Sequence, residues 1–228
     1  MNFLSHFYFD KHSDDEYLVL GTVLPDLLKN ALKESNIHPK KFRHLFFNDP
    51  LQNSILTGWE RHILVDKIFH SSVFFKEQTA ELKQLILPLV HDSPVKPFFL
   101  AHIGLELILD HLITIHRRIE VDKFYYHLGE IDKQVVRMFL ENCRLGGVED
   151  FFVFLDGFIS ARYLVSYSKI ENITYALNRI CMRLWDTPFN DQQIDKLTTQ
   201  LILFKQTLEM KYLNVFDEIE FNLNIKGV

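Results

Sequence analysis

"GLELILDHLITIHRR", residues 104–118, is the stretch that decides the fold. Leu105, Leu107, Ile108, Leu109, Leu112, Ile113 and Ile115 cover every face of a helix drawn through it, the pattern of a helix buried on all sides. The same stretch carries Glu106, Asp110, His111 and His116. An ionised carboxylate moved out of water without a partner costs several kcal/mol or more. The apolar run 98–115 is therefore a poor membrane span, because His102, Glu106, Asp110 and His111 interrupt it. It reads as the central helix of a soluble protein, and its polar residues need partners from elsewhere in the chain.

The flanking sequence repeats the helical pattern. Among 228 residues there are 21 Phe but only 8 Gly and 7 Pro, which favours long helices over many short strands. Helical periodicity covers 14–34, where Pro25 is expected to bend or restart the helix, and 50–87 as one long or broken helix. "HDSPVKP" at 91–97 reads as a loop. Helices follow at 98–119, 122–143, 149–168 and 170–185, with "RLGG" at 144–147 as a stop. A last amphipathic helix spans 189–224, where Leu197, Leu201, Phe204, Leu208, Tyr212 and Phe216 recur at three- and four-residue steps. No segment alternates strictly enough to be a strand. The expectation is an all-α fold, a single-domain helical bundle over residues 1–228. A net charge of −5 argues against nucleic-acid binding. Cys143 and Cys181 have no zinc spacing and fit a reducing, cytoplasmic setting. The opening residues lack the basic start and cleavage site of a signal peptide.

Residues four apart share one face of a helix. His102, Glu106 and Asp110 form such a stripe on the central helix, with Arg117 coming round to the same side. His62, Asp66 and His70 form a second stripe, and a His and an Asp at this spacing can reach one cation. Asp26 in "LGTVLPDLLK" and His6 in "MNFLSH" are further polar residues in apolar surroundings. Each has a plain alternative. His6 can be a hydrogen-bonded core residue, Asp26 a helix cap, His62 and Asp66 a surface pair, and His102 and Glu106 a self-satisfied pair. Together, imidazoles and carboxylates on oily helices suit a divalent metal such as Mn²⁺, Fe²⁺ or Zn²⁺. A shared cation offsets the burial of each.

Four segments carry a resemblance. "MNFLSH" at 1–6, "LGTVLPDLLK" at 20–29, G-x3-H-x3-D at 58–66 and DH-x4-H at 110–116 follow the order and approximate spacing of the bacterial acyl-carrier-protein phosphodiesterases. That family resembles a divergent branch of the HD-domain metal-dependent phosphohydrolases. The likeness extends more weakly through "YLVSY" at 163–167 and the aromatic C-terminal helix. It implies an HD-like helical fold and release of 4′-phosphopantetheine from holo acyl carrier protein, dependent on Mn²⁺ or another divalent cation. By position it implies His6, Asp26, His62, Asp66 and Asp110 as metal ligands. His111 and His116 match the family's polar positions and suit protonation of the departing serine oxygen. The chain departs from the family's pattern at Ile63 and Leu64, where arginines usually follow the histidine, and at His70, where an acidic residue is common. Arg117 is then the candidate clamp for phosphate oxygens. The run Lys29, Lys33, Lys40, Lys41 and Arg43 is a basic patch suited to an acidic carrier protein.

Two other functions fit the same residues. One is an HD-like phosphohydrolase acting on a nucleotide or another small phosphoester. The other is a non-catalytic helical protein with a degenerate site. The sequence leaves metal number and oligomeric state open.

Overall fold

The computed structural model describes residues 1–32 and 36–226, and they are all-α. Among the described residues twelve α-helices follow one another. The first five are α1 (Phe3–Tyr8), α2 (Glu16–Ala31), α3 (Arg43–Phe46), α4 (Pro50–Ser71) and α5 (Val73–Ile86). Then come α6 (Pro97–Ile115), α7 (Val121–Glu130), α8 (Lys133–Asn142) and α9 (Val148–Ala161). The chain closes with α10 (Ile170–Cys181), α11 (Asp191–Leu208) and α12 (Leu213–Lys226). Short 3-10 turns at Pro39–Phe42, Leu87–Leu89 and Tyr163–Ser168 join some of them.

α6 is the centre of the bundle. It is long and apolar enough to cross a membrane by length and composition alone, with a mean hydropathy of 1.7, but 61% of that window is buried inside the protein. Its apolar residues belong to a hydrophobic core shared with all the longer helices. Cys143 and Cys181 are buried and unpaired, and burial pushes both thiols up to about 12.

Several expected long helices are broken, and side-chain caps mark the breaks. The helix expected over 50–87 stops at Ser71, and the Ser72 hydroxyl accepts the Phe75 N–H to start α5. The one expected over 122–143 parts at Ile131–Asp132, where Asp132 accepts from Gln134 N–H to open α8. The one expected over 189–224 parts between Leu208 and Leu213. Conversely, α2 runs through Pro25, which lies within its range and is buried in the core.

The closest helix crossing is α2 against α4. A Cβ at Gly21 would lie 2.3 Å from the Ile55 carbonyl oxygen, and one at Gly58 would lie 2.2 Å from the Leu18 carbonyl oxygen. Only glycine permits such backbone contact. The crossing matters for function, because His62 follows Gly58 by one helical turn and Asp66 by two.

Candidate metal centre

The crossing brings the Thr22 carbonyl oxygen of α2 to 2.8 Å from His62 Nδ1. A carbonyl only accepts, so Nδ1 carries the proton. The neutral ring then presents a bare lone pair at Nε2. That atom is buried and has no hydrogen-bond partner. It lies 3.5 Å from Asp66 Oδ2 and 3.9 Å from Asp26 Oδ1, both acceptors. A lone pair facing two carboxylates is unfavourable, and either a proton on Nε2 or a cation among the three groups relieves it.

His6 completes the group. Its ring stacks on that of His62 with centroids 3.9 Å apart. Its Nε2 is 3.2 Å from Asp66 Oδ1, yet both ring nitrogens lack hydrogen bonds. Burial, reinforced by the neighbouring His62, lowers the His6 pKa to about 3, so it is neutral as a ligand must be. One ligand atom from each of His6, His62 and Asp66 falls within 4.8 Å of the others, a spread one ion can bridge. Burial alone would raise Asp66. The α-ammonium of Met1, 2.7 Å from Oδ1, leads the opposing charges and holds this carboxyl far below its usual range. Burial raises Asp26, against the pull of the Met1 ammonium. Asp26 comes from α2 and is part-exposed, with Lys29 Nζ 3.7 Å away.

Asp110 does not join this group, which corrects the expectation of a fifth ligand. Its Oδ1 accepts from Ser5 N–H at 2.8 Å and Ser5 Oγ at 2.6 Å. Its Oδ2 accepts from Asn2 Nδ2 at 2.9 Å and Leu4 N–H at 3.2 Å. The carboxylate caps α1 from more than a hundred residues away, and burial pushes its pKa up to about 7 against these donors. Its role is to hold the helix that presents His6.

The two histidines expected to act as acids also lie elsewhere. His111 Nδ1 donates to the Tyr167 carbonyl at 2.7 Å, and burial lowers the pKa of its ring. His116 Nε2 pairs with Glu209 at 2.8 Å while its ring stacks on Tyr212. Both side chains are committed to packing α6 against the later helices. Arg117 is corrected likewise. It ends α6 in a left-handed conformation (φ 51°), exposed to solvent.

The basic patch divides. Lys29 and Lys40 line a cavity of about 610 Å³, whose wall also includes Pro25, Trp59, Ile63, Leu64 and Lys67. None of His6, Asp26, His62 and Asp66 lines this cavity; Lys29, whose Nζ lies 3.7 Å from Asp26 Oδ1, links its wall to the metal group. Arg43 is taken by Glu60 at 2.6 Å. Lys41 is exposed and forms no part of the cavity wall, and Lys33 lies outside the described residues.

Sequence reasoning passed over Lys67 and Trp59. It also passed over Arg179 and Arg183, which line a smaller cavity of about 220 Å³ together with Asn2 and Tyr163. No signal in one sequence ties α10 to the N-terminus. When the chain is compared with known proteins, no family model, curated protein or solved structure matches it significantly.

Proposed function

We propose that the protein is a metal-dependent phosphodiesterase that hydrolyses the 4′-phosphopantetheine phosphodiester of holo acyl carrier protein in the cytoplasm. The observation that carries the metal part of this reading is the buried, unpartnered Nε2 of His62 aimed at Asp66 and Asp26. His6, His62 and Asp66 would hold the ion, with Asp26 within reach. Two imidazoles with carboxylates suit Mn²⁺, Fe²⁺ or Zn²⁺ better than the all-oxygen preference of Ca²⁺ or Mg²⁺. A bound divalent ion supplies charge stabilisation at phosphoryl oxygens and a more acidic water.

The chain's own residues supply the rest. Lys29, Lys40 and Lys67 bring ammonium groups to the cavity beside the carboxylates, where they would bind phosphate oxygens. Trp59, Ile63 and Leu64 give the same cavity an apolar wall for the pantetheine chain. Ile63 and Leu64 stand where the resembled family carries arginines, so phosphate binding here falls to lysines on α2, on α4 and in the turn before α3. Asp26, near His62 and part-exposed, is placed to take a proton from an incoming water. Lys29 and Lys40, on the outer edge, would also attract an acidic carrier protein and orient it.

The test is the mass of holo acyl carrier protein incubated with the protein and Mn²⁺. The reading expects loss of the phosphopantetheine mass, abolished by chelation and reduced roughly 100-fold or more in Asp66→Ala. Unchanged holo carrier protein with Mn²⁺ present, alongside hydrolysis of a nucleotide phosphodiester, would move the assignment to the small-phosphoester alternative.

A further inference from the structure

One turn beyond Asp66, α4 presents a second set of donors that the proposed reaction does not use. His70 Nε2 lies 3.1 Å from His102 Nε2 and 3.3 Å from Glu106 Oε1, and His102 Nε2 lies 3.1 Å from the same oxygen. The three atoms form a nearly equilateral triangle. Protons satisfy two of its edges at best, through one Nε2–H shared between Glu106 and the other ring. If both imidazoles direct an Nε2–H at Glu106, the two N–H groups confront each other at 3.1 Å. If either is deprotonated there, its lone pair faces the carboxylate. Glu106 Oε1 already lies 3.1 Å from the α-amino group of Met1.

A cation capping the triangle, just out of its plane, resolves the conflict, because all three atoms then offer lone pairs to it. Metal–ligand bonds of about 2.05 Å put neighbouring ligands about 2.9 Å apart at right angles and about 3.4 Å apart at tetrahedral angles. The observed edges fall between these limits. The rings are also held in place. Phe75 packs edge-on against both His70 and His102, with centroids 5.0 Å away in each case, and Phe69 and Phe98 flank the pair. Such support fixes ligands before an ion arrives.

We infer that His70, His102 and Glu106 form a second metal site, separate from the His6–His62–Asp66 group, that takes a divalent first-row transition ion of the Zn²⁺ class. Two nitrogens and one carboxylate oxygen disfavour Ca²⁺ and Mg²⁺. The His70 and His102 side chains are 35% and 28% exposed, so the ion keeps solvent-facing positions and exchanges readily. It would tie the end of α4 to the first half of α6.

The test is equilibrium binding of Zn²⁺ to chelator-stripped full-length protein, read as bound equivalents, with helix content followed by circular dichroism. Wild type is expected to bind two equivalents. His102→Ala and His70→Ala are each expected to lose one, with affinity for it falling roughly 100-fold or more. His62→Ala is expected to keep the ion that His102→Ala loses. The inference holds if that ion is lost in the α6 variant and retained in His62→Ala, whether or not the other group binds. It is overturned if folded His102→Ala and folded His70→Ala bind as many equivalents, as tightly, as wild type. It is overturned equally if wild type binds one equivalent and His62→Ala removes it. Both exposed rings sit at the rim, so at least one variant should fold; Co²⁺ absorption in wild type, quenched by excess Zn²⁺, gives a reading that needs no variant.

Discussion

Two imidazole–carboxylate groups share α4, one turn apart, and they are built by opposite means. At the crossing of α2 and α4, His62 is 1% exposed, its tautomer is set by a backbone carbonyl, and its lone pair points inward at carboxylates. At the rim, His70 and His102 are part-exposed, no carbonyl fixes their protons, and edge-on phenylalanines hold the rings. The first group depends on helix spacing set by glycine. The second depends on side-chain packing alone. A buried site is thus specified by backbone geometry and a rim site by rotamers, and the two should fail differently when perturbed.

The largest contrast comes from glycine. Gly58→Ala would place a methyl group 2.2 Å from the Leu18 carbonyl and force α2 and α4 apart. Overpacking of this kind costs about 3 kcal/mol, more if the backbone resists. Urea unfolding should record that loss, with metal binding at the crossing lost and the rim group unaffected. Gly129→Ala is the control. A Cβ there meets nothing within 4 Å, so the change should be neutral or gain up to about 1 kcal/mol from helix propensity.

Next in size is Asp110→Ala, which strips acceptors from Asn2, Leu4 and Ser5. Leaving buried donors unpaired costs about 1–3 kcal/mol. Because Asp110 fixes α1 and α1 carries His6, denaturation should show that loss, and Zn²⁺ affinity should fall at the crossing but not at the rim.

The smallest effect is in pH. His6 titrates near 6.5 in the unfolded chain and about 3 in the folded one. Above pH 6.5 both states are neutral and folding has no penalty. As pH falls below 6.5 the unfolded state takes up a proton the native state refuses, so stability declines until the folded pKa is reached. At pH 5 the loss is about 2 kcal/mol. Asp110, raised to about 7 by burial, gains stability over the same window, so the His6 loss is read as the difference between wild type and His6→Phe in urea titrations of metal-free protein at pH 7 and pH 5.

The same contrast explains how much was legible beforehand. All-α character, the central helix and the His62–Asp66 spacing follow from local periodicity, which one sequence displays. Asp110 holds α1 and not the ion because two backbone N–H groups and the Asn2 and Ser5 side chains converge on it from more than a hundred residues away, and nothing local in the sequence marks such donors. His111 lies away from the metal group because a His next to an Asp reads the same whichever way the helix turns it, and His116, at the end of α6, pairs with Glu209 from a distant helix end. Ser72 and Asp132 were readable as caps, but neither Pro nor Gly stood beside them to draw attention to a break. His70, His102 and Glu106 were visible as stripes on two helices; that the stripes face each other is a property of packing.

The central claim is that His62 offers an unprotonated Nε2 to a cation. Nitrogen-15 NMR of the imidazoles in chelated protein, followed by addition of Zn²⁺, tests it most directly. The account predicts an Nδ1–H tautomer for His62 at pH 7, with the Nε2 resonance moving on stoichiometric Zn²⁺ and Nδ1 remaining protonated. A His62 ring protonated at Nε2, or one whose resonances ignore saturating Zn²⁺, would contradict it.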